Sequence, residues 1–220
     1  MKTYNSIPFW KKGHFGKACI GFDKLDGSNI RAEWSRKKYK KGHEDLGWYK
    51  FGTRRQMMDR THDQFGNAID VFLNKYAEDL VRVFCDNKNY SKIESVTIFG
   101  EYVGENSFAG LHPDPEDAMD FILFDVNPYK KGIISPFEFI DNFGHLHIPE
   151  IVYEGNYNKQ LVYDVRDGKY DVKEGLIVRG LTKKNQLWMC KLKTREYSKA
   201  ADYRTEESEL IDELINLRNN

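Results

Sequence analysis

The apolar residues of this chain fall almost wholly into runs of strand length, with one exception. Over 67–84, Ile69, Phe72, Leu73, Tyr76, Leu80, Val83 and Phe84 recur at helical spacing. They form one apolar stripe, so a single long amphipathic helix is expected there. Residues 16–34 read instead as a strand, a tight turn near Gly27 and a second strand, with Ala18, Ile20 and Phe22 sharing one face of the first. Residues 31–37 and 48–55 read as hairpin strands joined by a polar loop, with Arg36-Lys37-Lys38 and Lys40-Lys41 at its solvated tip. The runs 96–103 and 121–126 are β-branched and aromatic strands, and 176–179 with 187–192 form a hairpin around Lys183-Lys184-Asn185. Ser135-Pro136-Phe137-Glu138 is a capping box with proline at the first helical position, and Gly144 can end that helix. A final helix over 206–218 carries Leu210, Ile211, Leu214 and Ile215 on one side. Strands dominate and helices are interspersed irregularly, so the class is α+β with mainly antiparallel sheet. No internal repeat or low-complexity linker interrupts the chain, and 1–220 is expected to be a single domain with a short C-terminal helix.

Bulk composition excludes several classes of protein. At 40% hydrophobic, 220 residues can bury a core, so global disorder is not expected. Lys+Arg and Asp+Glu both number 34. A generally basic coat for nucleic acid is therefore excluded, although a basic face balanced by acidic surface elsewhere is not. Cys19, Cys85 and Cys190 are scattered, with no C-x-x-C pair, which argues against a structural zinc site and for a reduced, cytoplasmic protein. The six histidines show no metal-ligand spacing beyond His145-x-His147. No apolar stretch is long enough to span a membrane, and no partner membrane is expected.

The chemistry lies in five charged or aromatic clusters. Lys24-Leu25-Asp26-Gly27-Ser28-Asn29 follows an alternating apolar run, so Lys24 sits at a strand end with its stem held by the strand. A lysine there can serve as a nucleophile, and the glycine lets backbone approach a phosphate closely. Four clusters follow: Phe99-Gly100-Glu101-Tyr102-Val103-Gly104, Phe121-Ile122-Leu123-Phe124-Asp125-Val126, Glu174-Gly175-Leu176-Ile177-Val178-Arg179, and Lys191-Leu192-Lys193. Lys191 and Lys193 alternate along a strand and so share one face. If that face meets Lys24, it disfavours the protonated lysine and neutralises a triphosphate, both of which attack on an α-phosphate requires. Asp26, Glu101 and Glu174 are available to accept from a ribose hydroxyl or to hold Mg²⁺ through its waters. Phe124 offers a ring on which a base can stack, or a core side chain.

In order and spacing these clusters resemble the motifs of the covalent nucleotidyltransferase superfamily of polynucleotide ligases and mRNA-capping enzymes. Lys24-x-Asp26-Gly27 resembles motif I, Phe99-Gly100-Glu101 motif III, and 121–126 motif IIIa. Glu174-Gly175-Leu176-Ile177-Val178 resembles motif IV, and Lys191-Leu192-Lys193 motif V. Asn29 after Gly-Ser, Phe-Gly-Glu and Phe124-Asp125 are most similar to ATP-dependent RNA ligases of the phage and RNA-editing type. The resemblance implies an adenylyltransferase domain of antiparallel sheets flanked by helices. It implies that Lys24 forms the phosphoramide with AMP, and that Asp26, Gly27 and Asn29 contribute to nucleotide binding. Glu101 would bind the ribose 2′-hydroxyl, Phe124 would stack on adenine, Glu174 would hold the metal, and Lys191 and Lys193 would hold phosphate. The family also places an arginine on the strand after the motif I hairpin; Arg54 is the choice, with Arg55 and Arg36 as alternatives. ATP and Mg²⁺ are the implied cofactors, and RNA with 5′-phosphate and 3′-hydroxyl ends the implied partner.

About two dozen residues follow motif V. That departs from relatives that carry an OB-fold there, so no OB-fold domain is expected, and a partner protein or domain supplying a clamp becomes an open expectation. A minimal DNA ligase and an adenylate-binding subunit that seals only with a partner are the alternative readings.

Overall fold

Nine strands in two antiparallel sheets organise the computed structural model, which describes residues 1–103 and 119–200. In chain order the strands are β1 (Ala18–Asp23), β2 (Ser28–Ser35), β3 (Trp48–Thr53), β4 (Met57–Met58), β5 (Ser95–Val103), β6 (Asp120–Pro128), β7 (Ile151–Asn156), β8 (Gly175–Leu181) and β9 (Leu187–Lys193). The helices are α1 (Arg36–Lys40), α2 (Gly66–Asp86), α3 (Pro136–Phe143), α4 (Lys159–Arg166) and α5 (Arg195–Ala200), with a 3₁₀ turn at Trp10–Lys12. One sheet has the order β7-β1-β8-β9 and the other β4-β3-β2-β5-β6. The expected antiparallel α+β class is borne out. The helix expected over 206–218 lies outside the described residues.

The chain divides into two compact units, Met1–Ser6 with Leu25–Glu150, and Ile7–Lys24 with the chain from Ile151 onward. The strand–turn–strand expected over 16–34 is therefore not a hairpin. β1 already has β7 and β8 on its two edges, so β2 has no edge there to pair with and joins β3 and β5 in the other sheet. The division falls between Lys24 and Leu25, inside the motif itself.

In the five-stranded unit, period-two alternation sends Ile30, Ala32 and Trp34 to one face of β2 and Arg31 and Glu33 to the other. The apolar face packs against the stripe of α2: Trp48 meets Phe72 edge to face at 4.7 Å, and Trp34 meets Phe84 at 5.3 Å. Arg36 is not at a solvated tip. Ser35 caps α1 by accepting from Lys38 N–H, and Arg36 donates to the carbonyls of Phe84, Tyr90 and Ile93, tying down the end of α2 and the segment after it. A guanidinium's fixed fork suits several carbonyls at once. Half of the expected capping box forms: Ser135 accepts from Glu138 N–H, whereas the Glu138 carboxylate accepts from the Tyr90 hydroxyl at 3.2 Å; Pro136 opens α3, and Gly144 follows its last residue.

The polar face of this sheet is also covered. Residues 1–6 lie over it, with Arg31 donating to the Lys2 carbonyl at 2.8 Å and the Tyr4 hydroxyl donating to Asp125 at 2.6 Å. Asp125 is fully buried, and a buried carboxylate requires such donors.

In the four-stranded unit, one face presents Cys19, Leu176, Val178, Cys190 and Leu192 to Leu161, Val162 and Val165 of α4. Trp10, Tyr157 and Trp188 extend this core. Burial pushes the Cys19 and Cys190 thiols up to about 12, so both behave as small apolar side chains.

Candidate active site

Three adjacent strand ends in the four-stranded unit bring a lysine, a glutamate and a second lysine together. Lys24 directly follows β1, Glu174 directly precedes β8, and Lys193 ends β9. The backbone sets this arrangement: Lys24 N–H donates to the Gly175 carbonyl at 2.9 Å, and Thr194 N–H donates to the Glu174 carbonyl at 3.0 Å. Gly175 pairs with Lys193 across the β8–β9 ladder. Its φ of 144° and a virtual Cβ 2.0 Å from the Leu192 carbonyl oxygen require glycine, so the strand can turn there while β9 stays close. The Glu174 carboxylate then lies 2.5 Å from the Lys24 ammonium and 3.5 Å from that of Lys193.

This geometry corrects one expectation of charge. Lys24 does not meet bare lysines; a carboxylate with 4% side-chain exposure sits between it and Lys193. Lys193 also lies over the Tyr197 ring at 5.0 Å. Lys191 occupies the same face of β9 two residues earlier, with its ammonium 4.0 Å from the centre of the Phe9 ring. The Lys191 N–H donates to the Pro8 carbonyl at 2.8 Å, so the segment before the 3₁₀ turn fixes this part of β9.

The five-stranded unit holds the remaining expected residues. Asn29 of β2 is the direct cross-strand partner of Glu101 of β5, so their side chains share a face. The Asn29 side-chain oxygen is buried and has no hydrogen-bond partner among the described residues. A buried, unsatisfied acceptor beside a half-exposed carboxylate fits a ligand carrying hydroxyl donors. Asp26 is half-buried in the link before β2. Gly27 is required for a reason other than phosphate approach: a Cβ there would lie 2.5 Å from the Tyr102 carbonyl oxygen and 2.9 Å from the Glu101 Cγ. It thus lets the link pass close against the strand carrying Glu101.

Phe124 owes its placement to a β-bulge. The register between β5 and β6 shifts so that Phe99 opposes Asp125 while Gly100 opposes Leu123, leaving Phe124 without a partner. Such bulges re-aim a side chain. Phe121, Leu123, Asp125 and Val126 are fully buried, whereas Phe124 is half-buried, its ring edge-on to Tyr4 at 5.1 Å. The structure separates it from the core residues of the same run. Arg54 is exposed in the bend between β3 and β4, beside Arg55, and not on a strand. Arg36 is occupied by the carbonyls at the end of α2.

Sequence reasoning missed Tyr4, Phe9 and Tyr197. Each supports an expected site residue through a ring contact, and for Tyr4 the supported residues are some 120 positions away. No local spacing signals such a pairing. No cluster of three metal-ligating side chains occurs among the described residues. The Glu174 carboxylate between two ammonium groups suits Mg²⁺ carried on phosphate, which takes one or two carboxylates and keeps its waters. No helix among the described residues is long and apolar enough to cross a membrane.

Comparison with solved structures places this fold among the RNA ligases. A Naegleria gruberi RNA ligase with pyrophosphate superposes with a TM-score of 0.62 at 15% identity, covering 93% of this chain and 59% of that one. A variant of the same ligase without ligand gives 0.61 at 16% identity, covering 92% and 58%. A third, with ATP and manganese, gives 0.56 at 20% identity, covering 86% and 53%. This chain thus spans less than two thirds of the length of those structures. At such identities the likeness shows the fold alone. No curated protein matches the sequence. Residues 18–194 match the RNA ligase family, and the chain belongs to that family. The resemblance read from the ordered motifs is borne out at this level.

Proposed function

We propose that this chain is an ATP-dependent RNA ligase in which Lys24 takes AMP from ATP and passes it to an RNA 5′-phosphate before a 3′-hydroxyl closes the strand. The observation that carries the reading is the convergence of Lys24, Glu174 and Lys193 at three neighbouring strand ends. A structural protein has no need to bury a carboxylate between two lysines at the edge of a family motif.

In the first step the Lys24 amine forms a P–N bond to the α-phosphorus while the bond from that phosphorus to the bridging oxygen breaks and pyrophosphate leaves. Lys24 must lose a proton to do so, because an ammonium has no lone pair. The Glu174 carboxylate, 2.5 Å from that nitrogen, takes the proton and passes it to solvent as the nucleotide enters. Glu174 is then the residue to hold Mg²⁺ through its waters; the metal would supply positive charge to the phosphates. Lys193 and Lys191 stabilise charge on the phosphate oxygens. Glu101 and Asn29 accept from the ribose hydroxyls, and Phe124 stacks on adenine. Asp26 and Gly27 position the link that follows Lys24. Arg54, exposed in its bend, is assigned to phosphate of the nucleotide or the RNA end.

The test is incubation with α-labelled ATP and Mg²⁺, followed by nicked RNA and nicked DNA in parallel. Parental protein should take a covalent label and close RNA, and Lys24→Ala should take none while keeping its circular dichroism. Lys24→Arg should also fail, since a guanidinium stays protonated. Persistent stoichiometric labelling of Lys24→Ala would sink the assignment. Closure of DNA alone would favour a DNA ligase, and labelling without closure an adenylate-carrying subunit that needs a partner.

A further inference from the structure

Away from the nucleophile, at the other end of the four-stranded sheet, three segments distant in sequence converge. They are residues 10–18, 156–160 and 181–187. Tyr157 ties the first two together: its N–H donates to the Lys17 carbonyl at 2.8 Å, its carbonyl accepts from Gly16 N–H at 2.7 Å, and its hydroxyl donates to the Trp10 carbonyl at 2.6 Å. Trp188, next to the β8–β9 turn, joins the third, 5.3 Å from the Tyr157 ring and 5.5 Å from the His14 ring. Trp10, Tyr157 and Trp188 are buried and form a rigid floor.

Two properties set this surface apart. Together the three segments contain six lysines (Lys11, Lys12, Lys17, Lys159, Lys183 and Lys184) and neither an aspartate nor a glutamate, in a chain whose net charge is zero. Among the described residues no carboxylate pairs with Lys12, Lys17, Lys159, Lys183 or Lys184. The second property is Phe15. It is 46% exposed and stacks on Tyr157 with ring centroids 4.9 Å apart and planes inclined by 24°. The Phe15 ring is thus held flat on a buried tyrosine, with ring surface left in solvent beside the lysines.

We propose that this surface binds a single-stranded segment of RNA, its phosphates on the lysines and one unpaired base on the Phe15 ring. Concentrated positive charge recognises a phosphodiester backbone whatever its sequence, and a rigid exposed aromatic ring accepts any unpaired base. A duplex would keep its bases stacked inward and leave Phe15 unused, so a single strand fits both features. The surface is separated from Lys24 by the length of β1, about 20 Å at a strand's rise per residue. It would therefore grip the strand flanking the reacting end and take no part in the chemistry. The inference rests on the proposed ligase reading for the identity of the nucleic acid.

The test measures binding of a fluorescently labelled single-stranded RNA by anisotropy over a range of salt, alongside covalent AMP labelling, on the full chain. The variants are Phe15→Ala and the triple Lys12→Gln, Lys183→Gln, Lys184→Gln. Phe15→Ala should weaken binding about tenfold, the loss of one stacked base. The triple variant should weaken it further and reduce the slope of log affinity against log salt by about 2, three single-strand phosphate contacts. Both should label with AMP at the parental rate. Parental RNA affinity and slope in the triple variant would overturn the proposal and leave the surface to an acidic protein. Absence of RNA binding by the parent, or loss of AMP labelling in step with RNA binding in both variants, would overturn it as well. Failure of the parent to label with AMP would sink the ligase reading instead, whatever the RNA affinities.

Discussion

Gly27→Ala isolates what the motif glycine does. The added methyl would lie 2.5 Å from the Tyr102 carbonyl oxygen, 2.9 Å from the Glu101 Cγ and 3.0 Å from the Val103 Cγ1. Ordinary contact begins near 3.4 Å, so the link and β5 must separate by about 0.9 Å. β5 cannot easily retreat, because it is paired on both edges and Tyr102 is fully buried. The strain therefore falls on the link after Lys24 and on the Glu101 side chain. Overpacking of this kind costs about 1–3 kcal/mol, and a displacement of about 1 Å in a positioned group can cost about 10²-fold in rate. The expected outcome is a lowered urea midpoint together with AMP labelling slowed by about two orders of magnitude, read by rapid quench with labelled ATP. Labelling within about threefold of the parent would refute the reasoning. It would mean that the close approach of link to strand does not set the position of Glu101 or Lys24.

Three further outcomes are expected. Glu174→Ala should stop AMP labelling and also lower the melting temperature, because it leaves two largely buried ammonium groups without their shared carboxylate, a loss of about 3 kcal/mol; unchanged stability would mean the ion pairs are not formed in solution. Phe124→Leu should raise the ATP concentration needed for half-maximal labelling while leaving the fold intact, since stacking is lost and most of the bulk kept; unfolding with unaltered ATP affinity would assign Phe124 to the core. Burial alone would push the Glu33 carboxyl up, but hydrogen bonds from Tyr49 and Lys50 outweigh it and hold it below its ordinary value. A folded value so depressed contributes stability that is present at neutral pH and lost as pH falls from about 4.5 through the folded value. Tyr49→Phe should accordingly lower the urea midpoint at pH 7 by more than in the acid, and equal effects at both would rule this out.

The motifs were legible because the chemistry is written in short spans. Lys24, Glu101, Glu174 and Lys193 each sit at a strand end or within a strand whose apolar alternation is local, and their order along the chain pointed to the family without any tertiary information. α2 and the Ser135 cap were equally local, since helical periodicity and a side chain bonding three residues ahead need no distant partner. The pairing of strands was not legible. β1 and β2 are neighbours in sequence yet lie in different sheets, because sheet membership depends on which edges are already taken, and β7 and β8, some 130 and 155 residues further on, take both edges of β1. The charge state around Lys24 was misjudged for the same reason: alternation shows that Lys191 and Lys193 share a face, but only the backbone bonds among β1, β8 and β9 put Glu174 between Lys24 and Lys193. Phe124 and its neighbours look alike as letters, and a one-residue bulge in the β5–β6 register decides which ring escapes the core. Residue order specifies what each segment carries; long-range hydrogen bonding decides which segments meet, and with them the environment of each charge.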